Sequence, residues 1–170
     1  MMQFVRIIKR IWFRFIQGLI NSFFAGTHFF KIKSALLKHL GLGIGENVRI
    51  VGPVYFDSEK VTIGDNCWIG RNFSVYGNGS VTIGSNCDFA PDIVFETGSH
   101  KPGTPQRRAG EGYCGDIAVG NGCWLGVRAT VLSGVTIGNG SVIGAGSLVN
   151  KSIEENLLVG GVPCKEIKSL

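Results

Sequence analysis

From Ile44 onward an aliphatic or aromatic residue returns at every sixth position: Ile44, Ile50, Phe56, then Ile63, Ile69, Val75, then Ile83, Phe89, Phe95. After a longer gap the series runs unbroken through Val119, Leu125, Val131, Ile137, Ile143 and Val149. A period of six matches neither the 3.6 residues of a helical turn nor the alternation of one long strand. It suits a short strand and a corner, repeated. Three such sides close an 18-residue coil, and coils stacked at about 4.8 Å, the spacing of paired strands, form a parallel β-solenoid. The period predicts roughly five coils.

A second inward position lies two residues before each anchor: Cys67, Phe73, Cys87, Ile93, Ser99, Cys123, Ala129, Val135, Ser141 and Ser147. This slot reads Cys67, Cys87 and Cys123 as core fillers rather than metal ligands, and the five cysteines show no C-x-x-C pair. Glycine is 26 of 170 residues, about double the usual share, and 24 of them fall at or after Gly41. The corners are the natural place for them, with Asn47, Asn66, Asn72, Asn86, Asn121 and Asn139 sharing the positive-φ positions.

The first 43 residues are a different kind of chain. Residues 1–45 hold seven basic side chains (Arg6, Lys9, Arg10, Arg14, Lys31, Lys33, Lys38) and no acid, so most of the net charge of +5 belongs to them. Ile8, Trp12, Phe15 and Leu19 recur at helical spacing, with Arg6, Arg10, Arg14, Gln17 and Asn21 on another stripe. The longest charge-free run, 15–30, falls short of the roughly 20 apolar residues of a membrane span. Basic residues to Arg14 and the lack of a small-x-small cleavage site fit a signal peptide poorly. Two readings stand side by side: a basic amphipathic segment, residues 1–30, lying on an anionic membrane surface, or a helical cap on the solenoid. No nucleic-acid-reading element accompanies the charge.

Between Phe95 and Val119 the spacing is 24, one coil more than the expected six. The intervening 101–118 contains Pro102, Pro105, several glycines and the pair Arg107-Arg108, and reads as a loop ejected from the solenoid. At its root stands His100, in an outward position; an imidazole is the side chain whose reference pKa, about 6.5, suits accepting a proton near neutral pH. Glu96 is four residues away, about 13 Å along an extended strand, too far to orient it.

The repeat, the stretch Glu96-Thr97-Gly98-Ser99-His100, the Trp124-Leu125-Gly126 turn and the ending Gly160-Gly161-Val162-Pro163-Cys164-Lys165 together resemble the hexapeptide-repeat acyltransferases, in particular the maltose, galactoside and colanic-acid-type sugar O-acetyltransferases. The resemblance covers residues 36–170 and implies a left-handed parallel β-helix over 44–170, a homotrimer with sites between subunits, and acetyl-CoA as donor with no metal. It implies that His100 is the general base. For the donor it implies Trp124, Gly126, Val127 and Ala145 along the pantetheine arm, with Asn150, Lys151, Lys165 and Lys168 near the nucleotide. For the acceptor it points to Asn72 and Ser74; Asp92, Arg107 and Arg108 are further candidates.

The expected function is acetyl transfer to a sugar hydroxyl of a surface polysaccharide or its precursor, in the cytoplasm or at the inner face of the membrane. Alternatives on the same fold are an amino-sugar-nucleotide N-acetyltransferase, a streptogramin-type antibiotic acetyltransferase and a membrane-attached scaffold. A γ-type carbonic anhydrase needs three zinc-binding histidines, and the solenoid holds one.

Overall fold

In the computed structural model, which describes residues 2–170, the six-residue period becomes the sides of a three-sided parallel β-helix. The first face stacks Gly43–Ile44, Val61–Ile63, Val81–Ile83, Ile117–Val119 and Thr136–Ile137. The second stacks Arg49–Ile50, Trp68–Ile69, Asp88–Phe89, Trp124–Leu125, Val142–Ile143 and Leu157–Gly161. The third stacks Val54–Phe56, Phe73–Tyr76, Val94–Glu96, Thr130–Leu132 and Leu148–Val149. Anchor sits beside anchor: Ile44 pairs Ile63, Ile63 pairs Ile83, Ile83 pairs Val119 and Val119 pairs Ile137. Five coils are complete. A sixth begins at Ile153, which bridges Ile137, and Cys164–Ser169 closes it by returning antiparallel to Leu157–Gly161.

Every anchor of the series is buried, and so is every residue of the second slot except Ser99. Phe73, Phe89 and Phe95 meet edge to face at 5.2–5.7 Å between ring centres and fill the middle coils. The slot cysteines also satisfy backbone. Cys67, Cys87 and Cys123 donate to the carbonyls of Gly84, Gly120 and Gly138 in the following coil, at 3.1–3.2 Å. In the fifth coil Ser141 takes the cysteine position and its hydroxyl donates to Glu154 O at 2.8 Å, while Ser147, in the column of Phe73, Ile93 and Ala129, accepts from Gly161 N–H at 3.1 Å.

The corners obey a finer rule than the composition suggested. Positive φ falls on the third residue after the anchor: Asn47, Asn66, Asn86, Gly122 and Gly140 at the first corner, Asn72, Asp92, Arg128 and Gly146 at the second. Asn121 and Asn139 therefore do not supply it, being one position early. Their side chains cap instead: Asn121 Oδ1 accepts from Ser85 N–H, and Asn139 Oδ1 from Asn121 N–H, each at 2.8 Å. Asp65 and Ser85 do the same for Glu46 N–H and Asp65 N–H. Glycines directly after the anchors answer to close stacking. A β-carbon on Gly84 would stand 2.8 Å from the backbone at Gly120 and Asn121.

Two helices, α1 (Met2–Phe23) and α2 (Phe30–His39), close the first coil. The strand Val54–Phe56 ends its sheet and would present unpaired backbone. The amides of α1 pair with it: Asn21 Nδ2 donates to Val54 O at 2.8 Å, Val54 N–H to Asn21 Oδ1 at 2.9 Å, and Phe56 N–H to Gln17 Oε1 at 2.7 Å. Ile16 and Ile20 are buried beside them. The cap therefore uses the Gln17–Asn21 stripe, and not the Ile8–Trp12–Phe15 stripe that the capping reading would turn inward, because an amide side chain supplies both the donor and the acceptor that an open strand edge needs. No described helix is long and apolar enough to cross a membrane.

Beneath α2 the fully buried Lys33 donates to Gly26 O at 2.6 Å and Val51 O at 3.0 Å, with its nitrogen 4.9 Å from the centre of the Phe30 ring. Burial lowers its pKa from 10.5 to about 8.

The insertion is an ordered antiparallel hairpin, Gly98–Thr104 with Arg107–Cys114, rather than an irregular loop over 101–118. Thr97 ends the third coil: it is fully buried and its hydroxyl donates to Tyr76 O at 2.7 Å. Gly115 N–H then donates to Thr97 O at 2.9 Å, and Ile117 takes its place beside Val81. The solenoid thus resumes at once, and Ser99, expected in the inward slot, has already left with the hairpin.

Candidate active site

His100 sits in the outgoing strand of the hairpin, exposed, opposite Gly112. Gly112 brings no side chain, so the ring lies over bare backbone. A β-carbon there would stand 3.6 Å from Nε2 and 3.7 Å from Cδ2. Glu96 does not reach the ring; its Oε1 accepts from Gly98 N–H at 3.0 Å and fixes the root of the hairpin. Nearly all of the hairpin is exposed in a single chain. A lone two-stranded hairpin is marginal in water, so this one calls for cover.

The other candidate residues fall on separate edges of the prism. Arg107 and Arg108 lie at the hairpin tip, about 13–17 Å along the strand from Gly112. They are exposed, with Arg108 Nη1 directed at Gly103 O at 3.5 Å. The second corner gathers five residues: Asn72, Asp92, Gly126, Val127 and Ala145. Asn72 Nδ2 donates to Asp92 Oδ1 at 2.8 Å. A β-carbon on Gly126 would stand 2.6 Å from Ala145 N, so the wall here is backbone, with Val127 and Ala145 exposed upon it. Ser74 is buried, its hydroxyl donating to Asn72 O at 3.1 Å. Trp124 stands 57 % exposed on the second face, a large indole that its own chain leaves uncovered.

Asn150 and Lys151 are exposed at the third corner, two coils beyond the hairpin, about 10 Å along the axis. Lys165 and Lys168 are exposed on the returning strand, paired with Gly160 and Leu158. From Arg128 at the second corner to Ser133 at the third, the third face is about 16 Å wide. Within one chain, then, the imidazole and the second-corner residues occupy opposite edges of a face. Two neighbours escaped the sequence reading. Arg128, whose guanidinium Nε is 3.9 Å from Asp92 Oδ2, occupies the same third-after-anchor position as Asn72 and Asp92, and the period would have found it. Gly112 carries no such signal, because only the hairpin register sets it beside His100.

Comparison with known proteins gives consistent matches. Residues 116–151 match the family model described as bacterial transferase hexapeptide (six repeats), and residues 60–89 that of the hexapeptide repeat of succinyl-transferase. A galactoside O-acetyltransferase of Escherichia coli K12 is 37% identical over 81% of this chain and 68% of its own. A putative colanic acid biosynthesis acetyltransferase of the same organism is 34% identical over 82% of this chain and 75% of its own. Among solved structures, a hexapeptide-repeat acetyltransferase of Vibrio cholerae in complex with acetyl-CoA superposes with a TM-score of 0.85. It is 28% identical, and the match covers 96% of this chain and 87% of the other.

Proposed function

The chain belongs to the hexapeptide-repeat acetyltransferases of the sugar type, with acetyl-CoA as donor, and on that footing we propose that it acetylates a hydroxyl of a surface polysaccharide or its precursor through His100. The separation of His100 from the second-corner residues carries the reading. Two copies set side by side bring the hairpin of one against the exposed edge of the other, cover it, and unite base with donor. A ring of three such contacts closes, which makes the active unit a homotrimer with clefts between subunits.

In that cleft the His100 imidazole takes the proton of the acceptor hydroxyl as its oxygen attacks the thioester carbonyl. The tetrahedral intermediate collapses, the carbon–sulfur bond breaks, and the imidazolium returns the proton to the departing thiolate of coenzyme A. No acyl-enzyme forms. The bare backbone at Gly126 and Ala145 admits a slender pantetheine arm, and Trp124 offers it an apolar wall. Lys151, Lys165 and Lys168 place positive charge for the phosphates. Asn72, Asp92 and the hairpin arginines are the polar groups offered to the acceptor. The likeness to a colanic acid biosynthesis enzyme supports a polysaccharide acceptor, and five free thiols fit the cytoplasm.

The test is thiol release from acetyl-CoA with a panel of sugars, glycans and sugar nucleotides, wild type against His100→Ala. Loss of about 10²–10⁴-fold in the variant, with acetyl-CoA binding retained, is the expected result. Near-normal turnover would remove His100 from the reaction.

A further inference from the structure

The outer side of α1 is left without a partner by its own chain. At 100° per residue, Phe4, Ile7, Ile8, Ile11 and Phe15 lie roughly opposite Ile16 and Ile20, the residues that dock the helix. They are 51–68 % exposed; Trp12 turns instead toward α2, where its indole N–H donates to His39 Nε2 at 3.3 Å. Single exposed apolar residues are ordinary; a continuous stripe of five on one helix marks an interaction surface.

The charges around the stripe identify what covers it. Arg10 and Arg14 border one edge of it, Arg6 and Lys9 stand on the helix's other side, all four are exposed, and residues 1–45 contain no acid. A second copy of α1 laid on the first would set these cations against themselves. A surface of anionic lipid meets both demands: acyl chains for the apolar stripe, and headgroup phosphates for the arginines and lysine. The docking also fixes the orientation. Gln17 and Asn21 bind the helix to the strand Val54–Phe56 through its opposite side, so the stripe faces away from the solenoid.

We infer that α1 is an interfacial helix that seats the enzyme on an anionic membrane, with Phe4, Ile7, Ile8, Ile11 and Phe15 entering the headgroup–acyl boundary. The helix lies in the plane of the surface and does not cross it. This placement is independent of which hydroxyl is acetylated. It presents the enzyme to acceptors carried on lipid.

Flotation of the full-length protein with phosphatidylcholine vesicles, with and without phosphatidylserine, tests it. Binding to the anionic vesicles that falls with added salt is the expected result, each basic residue contributing about fivefold to the affinity. Ile8→Glu with Ile11→Glu abolishes that binding and leaves both acetyl-CoA turnover and oligomeric mass unchanged. Wild-type protein that fails to float with anionic vesicles would overturn the inference. So would a double variant that changes the oligomeric mass, because the stripe would then be covered by a second copy of the chain.

Discussion

Across the hairpin, the His100 imidazole lies over Gly112, where a β-carbon would stand 3.6 Å from Nε2. That is ordinary van der Waals contact, and the Gly112 backbone is not in the left-handed region. Gly112→Ala should therefore leave turnover near the wild type. Gly112→Val carries methyl groups onto the ring nitrogen and should lower kcat about 10–100-fold with the melting temperature unchanged. Steady-state kinetics of the two variants beside thermal unfolding checks this. Equal losses in both would mean that the hairpin, rather than the ring, has been disturbed.

Subunit mixing examines the cleft. On the proposed mechanism His100→Ala removes the base and Ala145→Trp obstructs the donor edge, so each variant alone should be inactive. If base and donor come from neighbouring subunits, co-refolded mixtures contain clefts with both groups intact and recover on the order of a quarter of wild-type activity. A site contained within one chain shows no recovery.

Lys33 makes stability depend on alkaline pH. Its folded pKa is about 8 against 10.5 unfolded. Below pH 8 the side chain is charged in both states, and the fold carries the cost of burying that charge. Between pH 8 and 10.5 the unfolded chain holds a proton the native one has released, so stability rises through this window. The neutral amine keeps two N–H donors for Gly26 O and Val51 O, so the deprotonated state loses neither bond. Urea midpoints measured across the window should climb for the wild type relative to Lys33→Met. Parallel curves would place the shift elsewhere.

Removing one corner acceptor should cost stability in the preceding coil. Asn121→Ala leaves Ser85 N–H without its acceptor, and the expected loss is about 1–2 kcal/mol in chemical unfolding. Asn121→Asp keeps the oxygen and should restore most of it. A loss of the same size in both variants would assign the effect to the loop backbone.

Much of this molecule was legible as sequence because a β-helix writes its geometry at a fixed period. The anchors and the inward slot follow from counting by six, and the cysteines at 67, 87 and 123 follow from the slot. Where the period breaks, legibility fails for identifiable reasons. Ser99 keeps the spacing but not the environment, since the hairpin departs at Gly98. Asn121 and Asn139 look like turn formers, yet the adjoining Gly122 and Gly140 take the left-handed conformation and free the amides to cap. In α1 the eye goes to the apolar stripe, but an open strand edge is matched by the hydrogen bonds of Gln17 and Asn21. His100 stands out as a candidate by its position at the root of an insertion. Its neighbour Gly112 was not, because strand register across a hairpin leaves no trace in one-dimensional spacing.

The bond from Gly115 to Thr97 closes the third corner behind the hairpin, as if residues 98–114 had been spliced into a finished coil. The solenoid's path does not pass through them. That separates two kinds of constraint: the stacked wall, the proposed donor surface, is tied coil by coil, while the branch bearing His100, the proposed base, can lengthen, shorten or change its tip without altering any stacking register. Such an architecture lets a lineage keep one donor and explore many acceptors.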